Sequence, residues 1–157
     1  MDQTCNGGCE TVYNIYIVSQ ANANQLWDID QAVATGPVVN PMGYQGRFEG
    51  GGVMALGYTL MEEAKMNDGI YLTDNFDSYL IPTICDVAFQ MKVKAVEKFA
   101  KGYSIGPSGV GESGTVAVAP AIVRAIYDVT GCWVNKLPVS PDFLLEASNL
   151  GGTKTWI

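Results

Sequence analysis

Two clusters of glycine, each followed at once by an apolar stretch, constrain this chain more than any other feature. The first is GRFEGGGVMALG around residues 50–52, and the second is GPSGVGESGTVAVAPA, which begins at Gly106. Glycine has no Cβ, so the backbone there can approach a ligand or a second helix closely. Each cluster is predicted to lie where a helix begins, and the free N–H groups of a helix start favour anions. Neither has the spacing of a known nucleotide-binding motif, so close helix packing is the competing interpretation for both.

The composition is that of a globular domain with an acidic surface. The chain has 157 residues, 48% of them apolar, and a net charge of −7. This length predicts one domain. The acidic balance argues against nucleic-acid and membrane partners, because phosphate-rich surfaces need a basic footprint. We expect a cytoplasmic location, since the first residues are polar and no apolar run is long enough to span a bilayer.

The chain has no histidine, which excludes imidazole-based nucleophilic triads and zinc sites. Acid–base work would therefore fall to carboxylates, Lys, Tyr or Cys. The four cysteines lack the spacing of a zinc or iron–sulfur site, and no metal ligand is predicted among them. Cys85 and Cys132 are predicted to be core thiols in a reducing compartment, and Cys5 and Cys9 to lie in a loose end.

The predicted fold class is α+β, with mixed strands and about three helices, because strands and helices do not alternate strictly. Strands are predicted over 11–19, over 87–96, near 70–72 and near 132–140. Helices are predicted from the first glycine cluster onward, over 115–130, and after Ser140, which would cap a helix starting at Pro141. Residues 21–46 are predicted to be a long connection rich in turns. The expected organisation is a flexible lead at 1–10, one domain at 11–149 and a loose tail at 150–157.

A single carboxylate, Glu112, stands inside the second glycine cluster. A glutamate near a helix start is favoured by the helix dipole by about 0.3–1 kcal/mol, which accounts for most such residues. A catalytic role would require the carboxylate to be desolvated beside an electrophilic centre, where it could take a proton. Gly109, Gly111 and Gly114 would let a bulky group come close to it. The residues alone leave both interpretations open.

Four segments follow the pattern of one family in the same order. They are NPMGYQGRFEGGGVMALGYTLMEE, NFDSYLIPTICDV, GPSGVGESGTVAVAPAIVRAIYDVTG and LPVSPDFLLEA. Together they resemble the C-terminal molybdopterin-binding domain of the molybdenum hydroxylase large subunit, in the xanthine dehydrogenase and aldehyde oxidase family. The resemblance covers roughly residues 13–147 without large gaps.

The resemblance implies a molybdenum–pyranopterin cofactor and an oxidoreductase that hydroxylates an N-heterocycle or an aldehyde. It makes Glu112, in the family's G-V-G-E position, the base that deprotonates the attacking hydroxide. It also implies that the backbone of Gly109, Val110 and Gly111 faces the cofactor, and that Gly50 and Gly51 line its other side.

The chain departs from the family pattern at two positions. Arg47 stands where the family has a glutamine that contacts the cofactor, and Gln45 lies two residues earlier. Ser108 stands where the family often has lysine or alanine. We therefore expect Arg47 to pair with an anionic substrate or phosphate, or to point to solvent, with Gln45 and Ser108 as further candidate cofactor contacts.

Family large subunits are several times longer than this chain. The resemblance therefore implies partners: the remaining part of the molybdenum-binding subunit, and iron–sulfur and flavin groups carried by other domains or subunits. We expect the chain alone to be inactive and to expose an apolar surface where it meets that remaining part. The alternative is a non-catalytic remnant or structural subunit without cofactor. A third hypothesis is an isolated anion-binding module that uses the helix starts.

Overall fold

The structure is a computed structural model that describes residues 11–14, 28–87, 90–97 and 106–149. In chain order, its elements are β1 (Thr11–Asn14), β2 (Asp28–Val33), α1 (Pro41–Leu60), β3 (Met66–Asn67), β4 (Ile70–Tyr71), β5 (Gln90–Ala95), α2 (Ser113–Val116), α3 (Val118–Thr130) and α4 (Pro141–Asn149). The mixture confirms the predicted α+β class. The predicted lead at 1–10 and tail at 150–157 lie outside the described residues, as do Cys5 and Cys9.

A three-stranded sheet with the order β1-β2-β5 forms one layer of the fold. β1 is antiparallel to β2, while β5 is parallel to β2, with Ile29 opposite Met91. The parallel pair requires a crossover connection, and α1 supplies its helix. β5 confirms the alternation predicted over 87–96, since Lys92 and Lys94 are exposed and the residue between them is half-buried.

The core lies between this sheet and helices α1 and α3. Ile29 from β2 packs with Ala55 and Leu56 of α1 and with Val118 and Ile122 of α3, and all five are buried. A second cluster joins Val33 at the end of β2 to Tyr44 and Phe48 of α1. Burial of these side chains is the main contribution that stabilises the packing of α1 and α3 on the sheet.

Helix α1 begins at Pro41, ten residues before the middle glycine of the first cluster, so the predicted helix start at that cluster is wrong. The side chain of Asn40 caps the helix by accepting a hydrogen bond from the Gly43 N–H at 3.0 Å. Proline is favoured at the first helical position because it needs no hydrogen-bond partner there. The predicted long connection over 21–46 is also wrong within its described part, which holds β2 and the first turns of α1.

Residues 64–87, which we call the arm, connect α1 to the strand β5. The arm begins with a hairpin in which Met66 pairs with Tyr71, and its two-residue turn places Asp68 and Gly69 at φ 48° and 79°. Positive φ at both turn positions is typical of a type I′ hairpin. Cys85 lies in the arm and is exposed, so its predicted place in the core is wrong.

Helices α2 and α3 together occupy the region predicted as one helix over 115–130, with a break at Ala117. Gly131 ends α3 in the left-handed conformation at φ 71°. Cys132 is buried, as predicted. The predicted short strand near 132–140 is wrong: this segment is irregular, and the Val139 N–H donates to the Thr59 carbonyl of α1 at 2.8 Å. Helix α4 confirms the predicted last helix, with Ser140 Oγ accepting from the Phe143 N–H at 3.2 Å.

Candidate functional site

The two glycine clusters meet, and their contact is the centre of the candidate site. A Cβ added to Gly51 would lie 2.9 Å from the backbone of Gly114, and a Cβ added to Gly114 would lie 3.0 Å from the Cα of Phe48. No real side chain fits at such distances, so α1 and α2 pack backbone against backbone. We call this contact the glycine junction. For Gly51 and Gly114 the packing interpretation is confirmed.

The three consecutive glycines of α1 face three different surroundings. Gly51 faces α2 at the junction, while Gly52 faces β2, where a Cβ would lie 3.1 Å from Gln31 Nε2. Gly50 has no atom within 4 Å of its Cβ position. Of the three, only Gly50 therefore presents an open backbone face.

Gln31 lies behind the junction and was not predicted as a site residue, because its strand was assigned to a loop. Its side chain is 2% exposed, and its Nε2 donates to the Phe48 carbonyl at 2.9 Å. Its Oε1 is buried without a partner among the described residues. Gln31 ties β2 to the turn of α1 that carries the glycines.

The loop over 106–112 runs from the end of the sheet to the junction. Its start is fixed by a hydrogen bond from the Ser108 N–H to the Thr35 carbonyl at 2.9 Å, and Val110 packs against the cluster of Val33 and Phe48. Gly109 and Gly111 have no atom within 4 Å of their Cβ positions. The loop is held by its neighbours, while all three of its glycines, Gly106, Gly109 and Gly111, present bare backbone.

Glu112 is the residue immediately before α2, two positions from Gly114. Its carbonyl accepts from the N–H and the Oγ1 of Thr115 at 3.1 and 2.8 Å, while its carboxylate makes no capping bond to the helix. The Glu112 side chain is exposed. The desolvation that a base would need is thus not supplied by the described residues of this chain.

A cavity of about 270 Å³ lies between the start of α1 and the 106–110 loop. Three of the predicted contacts, Arg47, Ser108 and Val110, line it together with Asn40 and Tyr44. Gly43, Arg47 and Gly50 recur at helical spacing and share one face of α1. Arg47 thus brings a cation to the cavity between α1 and the 106–110 loop, which Gly50, Gly109 and Gly111 do not line.

Gln45, the other polar candidate on α1, is engaged elsewhere. Its Nε2 donates to Glu49 Oε1 at 2.7 Å on the exposed side of the helix. It is not among the residues that line the cavity with Arg47.

Tyr58 is a second unpredicted residue of the site. Its hydroxyl donates to the carbonyl of Thr115 at 2.9 Å, and burial raises its pKa above 10.0. The bond ties α1 to α2 one turn beyond Glu112. A tyrosine near the end of α1 gave no sequence signal for this role, because its partner is a backbone atom.

Comparison with known proteins identifies the family. A sequence profile described as the molybdopterin cofactor-binding domain matches residues 17–88. A probable xanthine dehydrogenase subunit of Bacillus subtilis is 58% identical over 132 residues, which is 84% of this chain and 18% of the relative. This chain belongs to the molybdopterin cofactor-binding domain family. The recognised family and its cofactor class are thereby confirmed.

Two further proteins are similar to the chain. The aldehyde oxidoreductase molybdenum-binding subunit PaoC of Escherichia coli is 30% identical over 72% of this chain and 16% of its own length. The crystal structure of quinoline 2-oxidoreductase from Pseudomonas putida 86 superposes with a TM-score of 0.71 and 27% identity, over 85% of this chain and 17% of that chain. The molybdopterin-family chain thus spans less than one fifth of the length of the relatives it matches.

Three glycines near the glycine junction fit a molybdopterin group by one structural criterion. Gly50, Gly109 and Gly111 each leave a place where a Cβ would meet no atom. These glycines, with the cavity beside Arg47, form bare backbone that a flat, bulky group can contact closely. Among the described residues, no group of three or more acidic or cysteine side chains is arranged to hold a metal ion by itself. None of the helices that the structure describes combines the length and hydropathy of a bilayer span.

Proposed function

We propose that this chain forms one side of the molybdenum centre of a hydroxylase and that Glu112 is its base. The observation that carries the proposal is the glycine junction, since it sets the loop over 109–112 beside the α1 turn that holds Gly50. Membership in the molybdopterin-binding family supports the cofactor, and the bare glycine backbone supports its place.

The proposed contacts follow from which backbone is open. Gly109, Val110 and Gly111 would lie against the cofactor on one side and Gly50 on the other, while Gly51 serves packing. Arg47 and Ser108 would contact an anionic or polar group of cofactor or substrate at the cavity, and Gln45 is a weaker candidate because Glu49 holds its amide. When bound, the molybdenum–pterin group supplies the two-electron redox chemistry of hydroxylation.

Glu112 would accept a proton at a carboxylate oxygen from the attacking oxygen nucleophile. A carboxylate is the residue type for this work in a chain without histidine. Polypeptide outside this chain would desolvate Glu112, because the described residues leave it exposed. The proposed substrates are N-heterocycles or aldehydes, and the relatives' names include xanthine, quinoline and aldehyde enzymes.

The proposed assembly has further components. The remaining part of the molybdenum-binding subunit would complete the centre, and iron–sulfur and flavin groups on other domains or subunits would carry electrons away. The cytoplasmic location expected from the sequence stays a prediction.

The test is a pair of glutamine substitutions in the assembly formed when the chain is co-expressed with its genomic neighbours. Glu112→Gln should keep molybdenum and pterin at full stoichiometry and lower turnover of a purine, a quinoline or an aldehyde by about 10²–10⁴-fold, the usual contribution of a general base. Glu146→Gln, an exposed glutamate of α4, should leave turnover unchanged. Unchanged turnover in Glu112→Gln would contradict the assignment of the base.

The non-catalytic alternative is favoured by one observation, namely that Arg47 lies in the cavity where the resemblance expects a cofactor-contacting glutamine. It predicts a stable complex with its partner that contains neither molybdenum nor pterin. Metal and pterin analysis of the purified assembly separates the two proposals.

A further inference from the structure

The arm, residues 64–87, exposes more large apolar surface than any other continuous part of the described chain. None of its residues is buried. Eight large apolar side chains in it have exposed fractions between 48% and 88%. They are Met66, Ile70, Tyr71, Leu72, Phe76, Leu80, Ile81 and Ile84. Extensive apolar exposure of this kind marks an interaction surface.

The arm is nevertheless ordered by polar contacts. Within it, the Thr83 hydroxyl donates to Asp86 Oδ2 at 2.6 Å, and Thr73 Oγ1 accepts from the Lys65 N–H at 3.0 Å. These bonds fix the backbone without burying the apolar side chains. The surface is therefore formed before binding, which lowers the entropy cost of docking.

Two contacts fasten the arm, one to the last turn of α1 and one to Glu62, just after the helix ends. The Tyr79 hydroxyl donates to Glu62 Oε2 at 2.7 Å, and the Pro82 ring lies against Gly57, where an added Cβ would collide with it at 2.8 Å. The arm is thus attached at its inner side, and its apolar side chains are left on the outer side.

A cavity of about 480 Å³ opens in the arm. Aromatic side chains of Tyr71, Phe76 and Tyr79 line it, with Asp74 and Asn75 beside them. Aromatic-walled pockets of this kind receive the anchor side chains of a partner protein.

The charge of the arm discriminates between possible occupants. It carries four aspartates and one lysine, namely Asp68, Asp74, Asp77, Asp86 and Lys65. A second copy of the chain would bring these aspartates against their equivalents, which is repulsive. A partner with Lys or Arg around an apolar centre is complementary.

The relatives indicate where an occupant would come from, since more than four fifths of the Bacillus subtilis relative lies outside the region that this chain matches. We propose that the outer face of the arm is the docking surface for the remaining part of the molybdenum-binding subunit, through an apolar patch rimmed by basic side chains. This inference rests on the proposed function for the identity of the partner.

The test compares amide hydrogen exchange in two proteins, the isolated 157-residue chain and a full-length chimera of the Bacillus subtilis relative whose matching region is replaced by this chain. Amides of the arm should exchange at least about tenfold more slowly in the chimera than in the isolated chain, because docking closes off local opening. Amides of Ala55 to Thr59 should change far less, because they already lie inside helix α1 next to the core in both proteins. Equal exchange of the arm in the two proteins would overturn the proposal.

Paired substitutions in the same chimera locate the surface. Phe76→Asp with Ile84→Asp should remove the arm's protection, while Val129→Asp with Leu145→Asp, at exposed apolar positions of α3 and α4, should keep it. Asp74→Lys with Asp77→Lys should weaken the protection of the arm, because the new lysines would repel a basic rim on the partner. Stronger protection would contradict the proposal that the partner's rim is basic. Full protection in the first pair would overturn the arm as the docking surface.

Light scattering of the isolated chain tests the competing occupant. A monomer is expected, and a dimer dispersed by Phe76→Asp with Ile84→Asp would overturn the proposal in favour of a second copy. None of these measurements needs cofactor or turnover. If the arm is protected from exchange in a chimera that contains no molybdenum or pterin, only the proposed function is contradicted. If the arm is unprotected in a chimera that contains both, only the docking surface is contradicted.

Discussion

The body of the chain, which we define as the sheet β1-β2-β5 with helices α1 to α4, and the arm use apolar residues in opposite ways. In the body, β2, α1 and α3 bury Ile29, Phe48 and Ile122 almost completely, and glycines bring helix backbones into contact. In the arm, the large apolar side chains are exposed and order comes from local hydrogen bonds. The difference shows that the body is stabilised by its own hydrophobic core, whereas the apolar side chains of the arm are not part of a core.

The largest expected difference between the two regions comes from truncating one phenylalanine in the body and one in the arm. Phe48→Ala should lower the free energy of unfolding by about 3–5 kcal/mol, because the fully buried ring leaves a cavity between β2 and α1. Phe76→Ala, in the arm, should change it by no more than about 0.5 kcal/mol. Urea denaturation of the 157-residue chain measures both. Equal losses would show that the arm shares the core of the body.

A finer comparison uses two neighbouring glycines of α1. Gly51→Ala should destabilise the chain by about 1–3 kcal/mol, because its Cβ would press on the backbone of Gly114 and the helices must separate. Gly50→Ala should stabilise it by about 0.5–1 kcal/mol, since nothing meets that Cβ and alanine is the better helix former. The same denaturation experiment decides the sign at each position. Stabilisation by Gly51→Ala would contradict the glycine junction.

The smallest expected effect concerns the fastening of the arm. The hydrogen bond to Glu62, with a lesser contribution from desolvation, raises the pKa of Tyr79 above its ordinary 10.0. The neutral phenol is the bonded form, so the stabilisation is fully present below pH 10.0 and is lost as the pH rises through the raised pKa. The raised pKa of Tyr79 should appear in a titration of phenolate absorbance, as the difference between the unmodified chain and Tyr79→Phe.

Two neighbouring glutamates provide the control for that titration. Glu62→Gln should return the Tyr79 pKa toward 10.0. Glu63→Gln should leave it raised, because Glu63 pairs with Lys65 at 3.3 Å instead. A titration of Tyr79 that ignores Glu62→Gln would mean that the fastening bond does not form.

Local signals predicted some elements of the fold well. The alternation around Lys92 and Lys94 identified β5, and the Ser140–Pro141 pair identified the start of α4. Helix α1 begins earlier than the sequence predicts, because the Asn40–Pro41 pair, typical of a turn, here caps and starts a helix. Three consecutive glycines cost a helix about 1 kcal/mol each relative to alanine, and Gly51 and Gly52 make contacts with α2 and β2, distant in sequence, that compensate for this cost.

The candidate site was predictable only in part. Glu112 and the glycines around it were proposed from the family resemblance, and the sequence could not show that Gly51 and Gly114 touch. The sequence did not indicate Gln31, because it lies in the segment predicted as a loop and its partner is a backbone carbonyl of α1. The exposure of Cys85 was missed because an apolar segment normally indicates burial, whereas the arm keeps its apolar side chains outside.

The most direct test of the central claim is the pterin content of the co-expressed assembly carrying Gly111→Val. No atom lies within 4 Å of the Gly111 Cβ position, so the free energy of unfolding of the isolated chain should change by no more than about 0.5 kcal/mol. If bare backbone at this loop contacts the cofactor, the valine side chain would obstruct that contact. Molybdenum and pterin in the purified assembly should then fall at least about tenfold, which corresponds to a loss of about 1.4 kcal/mol of binding free energy. Full molybdenum and pterin content in the variant would contradict the account.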